Sequence, residues 1–397
     1  MNKKNNKILW VSPANLLDTT SGFALSVREM LFQLSKNNFD IKILSATTFD
    51  NSNGMTYFQD NIDYLNSNIG KIINIRDENL THETYVTKSI KRDEMQAQEL
   101  YSFFEYYCKA IKEFTPDIVF FYKDGILEQS IAREAKYYGI KTVVYLVNPN
   151  YTGTRWIRDV DLIITDSDAT VKMYKERESY NLKSVGTFLN PKKYISNNKN
   201  NNTQKNILFV NPSFEKGVIF VIQLALYLEK IGSNIMIEVV NSRSNWNEIL
   251  KLVTKSLGKQ REYLPNVIET KNTNNMKQIY ERTKILLVPS FWFDSGPRVI
   301  AEAQLNGIPV IGSNFGGVPE MIGEGGFIIN FSKNFNKPPY NNIVDEKQLQ
   351  SIVNIIYKIY NDREFYTEIQ KKVYENVKEK HDIMKNTNKL INTLTTF

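Results

Sequence analysis

PSFWFDSGPRVIAEAQLNGIPVIGSNFGGVPE, residues 289–320, is the stretch on which the fold of this chain turns. It follows an apolar run, Ile285 to Val288, that reads as a buried strand. A loop holding Gly296 comes next, then Pro297, a residue suited to the first turn of a helix. The helix predicted from Pro297 to about Asn306 is closed by Gly307 and Pro309. Short strands follow at Pro309 to Ile311 and Phe327 to Asn330. Strand, loop, helix, strand is the repeating unit of an open parallel sheet. In such sheets ligands settle at the carboxyl ends of strands, where N–H groups of the next helix receive phosphate oxygens.

The same plan extends outward. Upstream lie a strand Ile207 to Val210, a helix from about Lys216 to Ile231 that is apolar on nearly all sides, and a strand Ile235 to Val240. Further back, Lys7 to Ser12 reads as a buried strand. Phe23, Val27, Met30, Leu31 and Leu34 recur at helical spacing, and a strand runs from Ile41 to Ser45. Strand-like runs return at Asp117 to Phe121, Lys141 to Leu146 and Leu162 to Thr165. Between Phe49 and Glu99 the patterning is weak and gives no elements; insertions of this kind often contribute to binding clefts. Ser196 to Lys205 holds no apolar residue and reads as a linker. From Asp345 the pattern is helical to the end. The expectation is α/β: two Rossmann-like doubly wound domains, 1–195 and 206–375, facing a central cleft, with a helical segment 376–397 packing back on the first.

Composition narrows the function. A hydrophobic share of 42% against 23% charged residues is a globular balance. No apolar run approaches the roughly 20 residues that cross a bilayer, and the apolar stretch behind the basic Met1 to Lys7 stops at Pro13. The expected compartment is the cytoplasm. Cys108 is the single cysteine, which excludes an internal disulfide; with only His82 and His381 beside it, neither metal nor cofactor is expected. The net charge of +7 favours anionic partners: a nucleotide sugar, or the acidic inner face of a membrane as a peripheral contact. Nucleic acid is not expected, because the lysines are scattered among Asn and Ile rather than gathered with aromatics.

Three strand ends carry candidate chemistry. In the quoted stretch Asp294 and Glu302 stand eight residues apart, one in the loop and one on the helix. After the strand ending at Val210 comes Asn211-Pro-Ser-Phe-Glu-Lys216-Gly217, where Lys216 is placed to neutralise a diphosphate. The macrodipole disfavours a lone cation at a helix start, which supports an anionic ligand there. After the first strand, Thr19 to Phe23 contains Ser21 and Gly22, and a glycine there allows close backbone approach to a ligand.

The acidic pair, followed in order by Asn306-Gly307-Ile308-Pro309 and Gly316-Gly317-Val318-Pro319-Glu320, resembles the retaining GT-B glycosyltransferases, specifically glycosyltransferase family 4. The resemblance implies sugar transfer from a UDP- or GDP-sugar to a hydroxyl-bearing acceptor with retained anomeric configuration. It assigns Glu302 to the ribose hydroxyls, Asp294 to the donor sugar, and Gly296, Pro297, Arg298 and Val299 to sugar or diphosphate. Lys216 and Gly217 fall on the family's Lys-Gly turn, and Ser21 and Gly22 on the loop facing donor and acceptor.

Three departures stand out: Asp294 where Glu is usual, Asn211-Pro212 where an Arg is usual, and no His at the first domain's strand ends, which offer Asp124 and Asn148 instead. They favour a second reading, a non-catalytic nucleotide- or glycan-binding partner of a glycosyltransferase. Blander roles exist as well. Asp294 or Ser295 caps the helix, or Glu302 pairs with Arg298 one turn back for about 0.2–0.5 kcal/mol. Ser21 and Gly22 also make an ordinary turn and cap. Asp159 and Asp161 superficially resemble a metal-binding Asp-x-Asp, but they precede a strand rather than follow one. Ser167 reads as a turn residue.

Overall fold

The computed structural model describes residues 6–50, 52–196, 204–242, 244–273 and 275–397. Most of the basic N-terminus and most of the predicted linker therefore lie outside the described residues. The chain divides into two compact units, Met1–Phe188 with Ile383–Phe397, and Leu189–Asp382.

In the first unit the strands are β1 Lys7–Val11, β2 Asp40–Ala46, β3 Ile72–Asp77, β4 Leu80–Tyr85, β5 Ile118–Tyr122, β6 Lys141–Tyr145, β7 Leu162–Thr165 and β8 Leu182–Ser184. They form one sheet in the order β3-β4-β2-β1-β5-β6-β7-β8. Every neighbouring pair is parallel except the β3/β4 hairpin. Strand periodicity of two sends alternate residues into two core layers. Leu9 and Val11 pack with Phe103, Tyr107 and Ile131, whereas Ile8 and Trp10 pack with Val27, Met30, Leu31 and Leu34. Leu390 and Leu394, from the helix Ile383–Thr395, complete the second layer. The segment from Phe49 to Glu99, which gave no elements from sequence, holds the β3/β4 hairpin and two short helical stretches between Ser52 and Ser67.

The second unit contains β9 Asn206–Val210, β10 Ile237–Val240, β11 Val267–Thr270, β12 Thr283–Val288, β13 Val310–Ser313 and β14 Gly326–Ile329. All pairings are parallel, in the order β11-β10-β9-β12-β13-β14. The chain thus winds outward from β9 on one side, returns, and winds outward from β12 on the other. This is the Rossmann order, and its switch point lies between β9 and β12. Ile207, Phe209, Ile285 and Leu287 face the layer built by the apolar helix Val218–Lys230. Leu208, Leu286 and Val288 face the layer containing Ile279, Tyr280 and Ile300.

Unit boundaries sit a few residues from the domain limits read in the sequence. Leu189, Tyr194 and Ile195 pack into the second unit's core, so the first unit ends at Phe188 rather than 195. At the other end, the helix Arg363–Lys380 stays with the second unit, and the segment from Ile383 joins the first. Among the described residues no helix is long and apolar enough to cross a membrane.

Candidate functional site

Three loops converge at the carboxyl end of the second sheet, around its switch point. The β9 loop leaves the strand at Asn211, whose φ of 64° is tolerated by its short polar side chain. The loop then folds back so that the Ser213 carbonyl accepts the N–H groups of Lys216 and Val218. Gly217 adopts φ 78°, and a Cβ there would lie 2.1 Å from the Pro289 carbonyl oxygen. Only glycine lets the β9 and β12 loops come this close. The Glu215 carbonyl then accepts from both Phe291 N, at 2.8 Å, and Trp292 N, at 3.0 Å.

This stitching brings Lys216 to Asp294. Lys216 Nζ donates to Asp294 Oδ1 at 2.5 Å, and Ser290 Oγ donates to Oδ2 at 2.5 Å. The β13 loop closes on the same residue: Gly317 N donates to the Asp294 carbonyl at 2.7 Å, and Gly316, at φ 60°, would bring a Cβ to 2.4 Å from that oxygen. Asp294 therefore does not cap the following helix. That helix runs Arg298–Leu305 with Pro297 at its N-cap position and no side-chain cap. It ends in a Schellman motif: Gly307 N donates to Gln304 O and Ile308 N to Ala303 O, with Gly307 at φ 73°. The sequence signal at Gly307 is thus a real helix stop.

One turn into the helix, Glu302 is 5% exposed. Its Oε2 accepts the Tyr280 hydroxyl at 2.7 Å, and its Oε1 faces Arg298 Nε at 3.6 Å. The Arg298 pairing foreseen from the i, i+4 spacing is present, but at a separation too long for a hydrogen bond. Burial pushes the Glu302 carboxyl up, with Arg298 and the Tyr280 hydroxyl acting against it. Arg298 Nη2 also donates to the Tyr194 hydroxyl at 2.9 Å. Of the residues picked from sequence, Asn211, Lys216, Gly217, Asp294, Gly296, Pro297, Arg298, Val299 and Glu302 all lie in these loops or on this helix. The sequence does not announce Tyr280 and Tyr194, whose hydroxyls act on partners from another element, or Ser290, which bonds Asp294 four residues on within the same loop.

In the first unit, Ser21 stands at the N-cap position of the helix Gly22–Lys36, but its side chain makes no capping bond. The loop is fixed by Asp18 instead. Its Oδ1 accepts from Thr20 N, Thr20 Oγ1 and Ser21 N, and its Oδ2 accepts from Asp50 N. Asp18-Thr-Thr20 is an Asx-turn pattern, so here a local signal was available. Asn148 shapes its own turn, with Oδ1 accepting from Asn150 N and its carbonyl accepting from the Tyr174 hydroxyl. Asp161 holds Thr142 N and Lys136, and Asp159 pairs with Arg158. Ser167 caps the helix Asp168–Glu178 by accepting from Thr170 N.

Two parallel α/β units, one with three site loops at the switch point, define the GT-B architecture of glycosyltransferases, and the likeness to solved structures spans the whole chain. A glycosyltransferase from Rickettsia africae superposes with TM-score 0.70 at 13% identity, covering 99% of this chain and 98% of that one. Sucrose-phosphate synthase from Thermosynechococcus elongatus gives 0.69 at 15% identity, with 98% of each chain covered. Anabaena HepE in complex with UDP and glucose gives 0.67 at 14%, with 100% of each covered. Residues 191–379, nearly all of the second unit, match the family described as Glycosyl transferases group 1 and make that unit a domain of this kind. No curated protein matches the chain.

Proposed function

We propose that this protein is a retaining glycosyltransferase of the family 4 type that moves a sugar from a UDP- or GDP-sugar to a hydroxyl-bearing acceptor such as a glycan, a lipid-linked precursor or a protein. The observation that carries the reading is the meeting of Lys216 and Asp294 at the switch point, beside a helix N-terminus that no side chain caps. A diphosphate suits this place: its charge is matched by the Lys216 ammonium and by the positive end of the helix dipole at Arg298 and Val299. The complex of HepE with UDP and glucose supports a uridine donor.

In this reading Glu302 takes the ribose hydroxyls and Asp294 accepts from hydroxyls of the donor sugar, with Gly296 to Val299 along the sugar and diphosphate. Asn211 and Gly217 lie along the donor, and the glycine of the Ser21–Gly22 loop allows close backbone approach to a ligand. Lys216 passes from Asp294 to the diphosphate on donor binding and stabilises the charge that develops on it as the glycosidic bond breaks. The departing phosphate oxygen takes the acceptor proton on the same face, so no His is needed in the first unit. Neither metal nor cofactor enters this scheme. The protein works on the cytoplasmic side, peripheral to the membrane where the acceptor is lipid-linked.

The test is to incubate the purified chain with UDP-glucose, UDP-N-acetylglucosamine, UDP-galactose and GDP-mannose and follow nucleotide release and the anomer formed by NMR. Normal nucleotide binding with neither transfer nor donor hydrolysis would overturn the enzyme reading and leave the non-catalytic binding partner.

A further inference from the structure

We propose that Tyr280 is a positioning residue of the nucleotide site, fixing one oxygen of the Glu302 carboxylate so that the other is presented to the ribose hydroxyls. This rests on the assignment of Glu302 to the nucleotide. The geometry is specific to one oxygen. Tyr280 is fully buried on the helix Met276–Arg282, and its hydroxyl reaches Glu302 Oε2 at 2.7 Å. Oε1 accepts no hydrogen bond from the described residues; Arg298 Nε stands off at 3.6 Å.

A buried carboxylate needs partners, and the kind of partner decides what remains for a ligand. A bidentate arginine would occupy both oxygens. A single phenol donates one hydrogen bond, adds no charge, and leaves the lone pairs of the second oxygen open. The arrangement here is of the second kind: Arg298 donates through Nη2 to the Tyr194 hydroxyl, and its Nε stands 3.6 Å from Oε1. Burial and the neighbouring carboxylate push the Tyr280 phenol far up, so it stays a donor at any working pH. Among the charged and titratable groups around Glu302, Arg298 and Tyr280 act on it directly, and Tyr194 acts on both of them.

The consequence is discrimination. Two ribose hydroxyls donating to a fixed, charged oxygen should separate a ribonucleotide from its deoxy counterpart by about 10- to 100-fold in affinity. The experiment measures binding of UDP and GDP, and of their 2′,3′-dideoxy analogues, to the full chain by calorimetry. Wild type is expected to prefer the ribonucleotide, Glu302→Gln to lose most of the preference, and Tyr280→Phe to shrink it several-fold with a smaller effect on the dideoxy compound. A merely structural tyrosine would weaken both ligands equally and leave their ratio unchanged.

If Tyr280→Phe keeps the wild-type ratio while Glu302→Gln loses it, the positioning role is overturned and the nucleotide assignment stands. If wild type binds neither UDP nor GDP, the nucleotide assignment itself falls. The double variant Tyr280→Phe with Glu302→Gln carries the test should the single variant not fold, because a neutral amide no longer leaves a buried charge short of a donor. It is expected to match Glu302→Gln alone, and a further loss in the ratio would overturn the proposal.

Discussion

Gly217→Ala is the most direct probe of the convergence at the switch point. The new Cβ would lie 2.1 Å from the Pro289 carbonyl oxygen, whereas ordinary carbon–oxygen contacts are roughly 3.3 Å. The two loops must part by about 1 Å at the point where the Glu215 carbonyl joins them. Two costs add. Holding an L-residue at φ 78° costs about 1–2 kcal/mol, and overpacking costs about 1–3 kcal/mol. The total of about 2–5 kcal/mol should lower the melting temperature of the second unit by roughly 4–20 °C.

Gly232→Ala separates the two costs, since Gly232 has a similar φ of 67° with nothing within 4 Å of its would-be Cβ. It should show the backbone cost alone and leave UDP affinity unchanged, whereas Gly217→Ala should weaken UDP about tenfold or more. Calorimetric melting of both variants, with binding isotherms beside them, is the assay. Equal losses of stability and affinity in the two would refute the claim that close approach of the loops is what requires glycine at 217.

Lys216→Met should weaken UDP about tenfold and leave uridine binding unchanged, measured by calorimetry at fixed ionic strength; equal weakening of both would remove Lys216 from the diphosphate. Asp18→Ala frees the four donors held by one buried carboxylate and should destabilise the first unit by about 3 kcal/mol in urea unfolding. His381 is held neutral by burial, which pushes its pKa down to about 4, against about 6.5 in the unfolded chain. The stability tied to this group is therefore complete above pH 6.5 and is lost as the pH falls to 4, up to about 3 kcal/mol. Urea unfolding across that window, compared with His381→Gln, checks the size. Because the chain has two histidines, labelled-histidine NMR can follow the titration itself, and a midpoint near 6.5 would contradict it.

Legibility followed the range of the interactions. Strands buried on both faces, such as Lys7–Val11 and Thr283–Val288, are written as apolar runs whose ends are legible to within a residue or two. The β12 loop and the Schellman stop at Gly307 were legible because turn and cap chemistry is local. Val267–Thr270 was missed: it is an edge strand, mostly solvent-facing, with a charged residue in a four-residue run. Leu182–Ser184 is too short to show a period. The β3/β4 hairpin mixes polar and apolar residues on an edge, so its pattern is faint. Tyr280 looks like an ordinary core residue until tertiary packing aims its hydroxyl at Glu302, and Ser290 like an ordinary loop residue until its own loop folds back to bring Asp294 to it.

The return of the last residues to the first unit bears on how this protein comes off the ribosome. Leu390 and Leu394 are fully buried in the layer that also holds Trp10, Met30 and Phe120. That layer cannot close until residue 394 has been synthesised, after the second unit, which ends at Asp382, has been made in full. The N-terminal half must wait with a gap in its core while the later-made unit folds, which reverses the usual order of domain completion during synthesis.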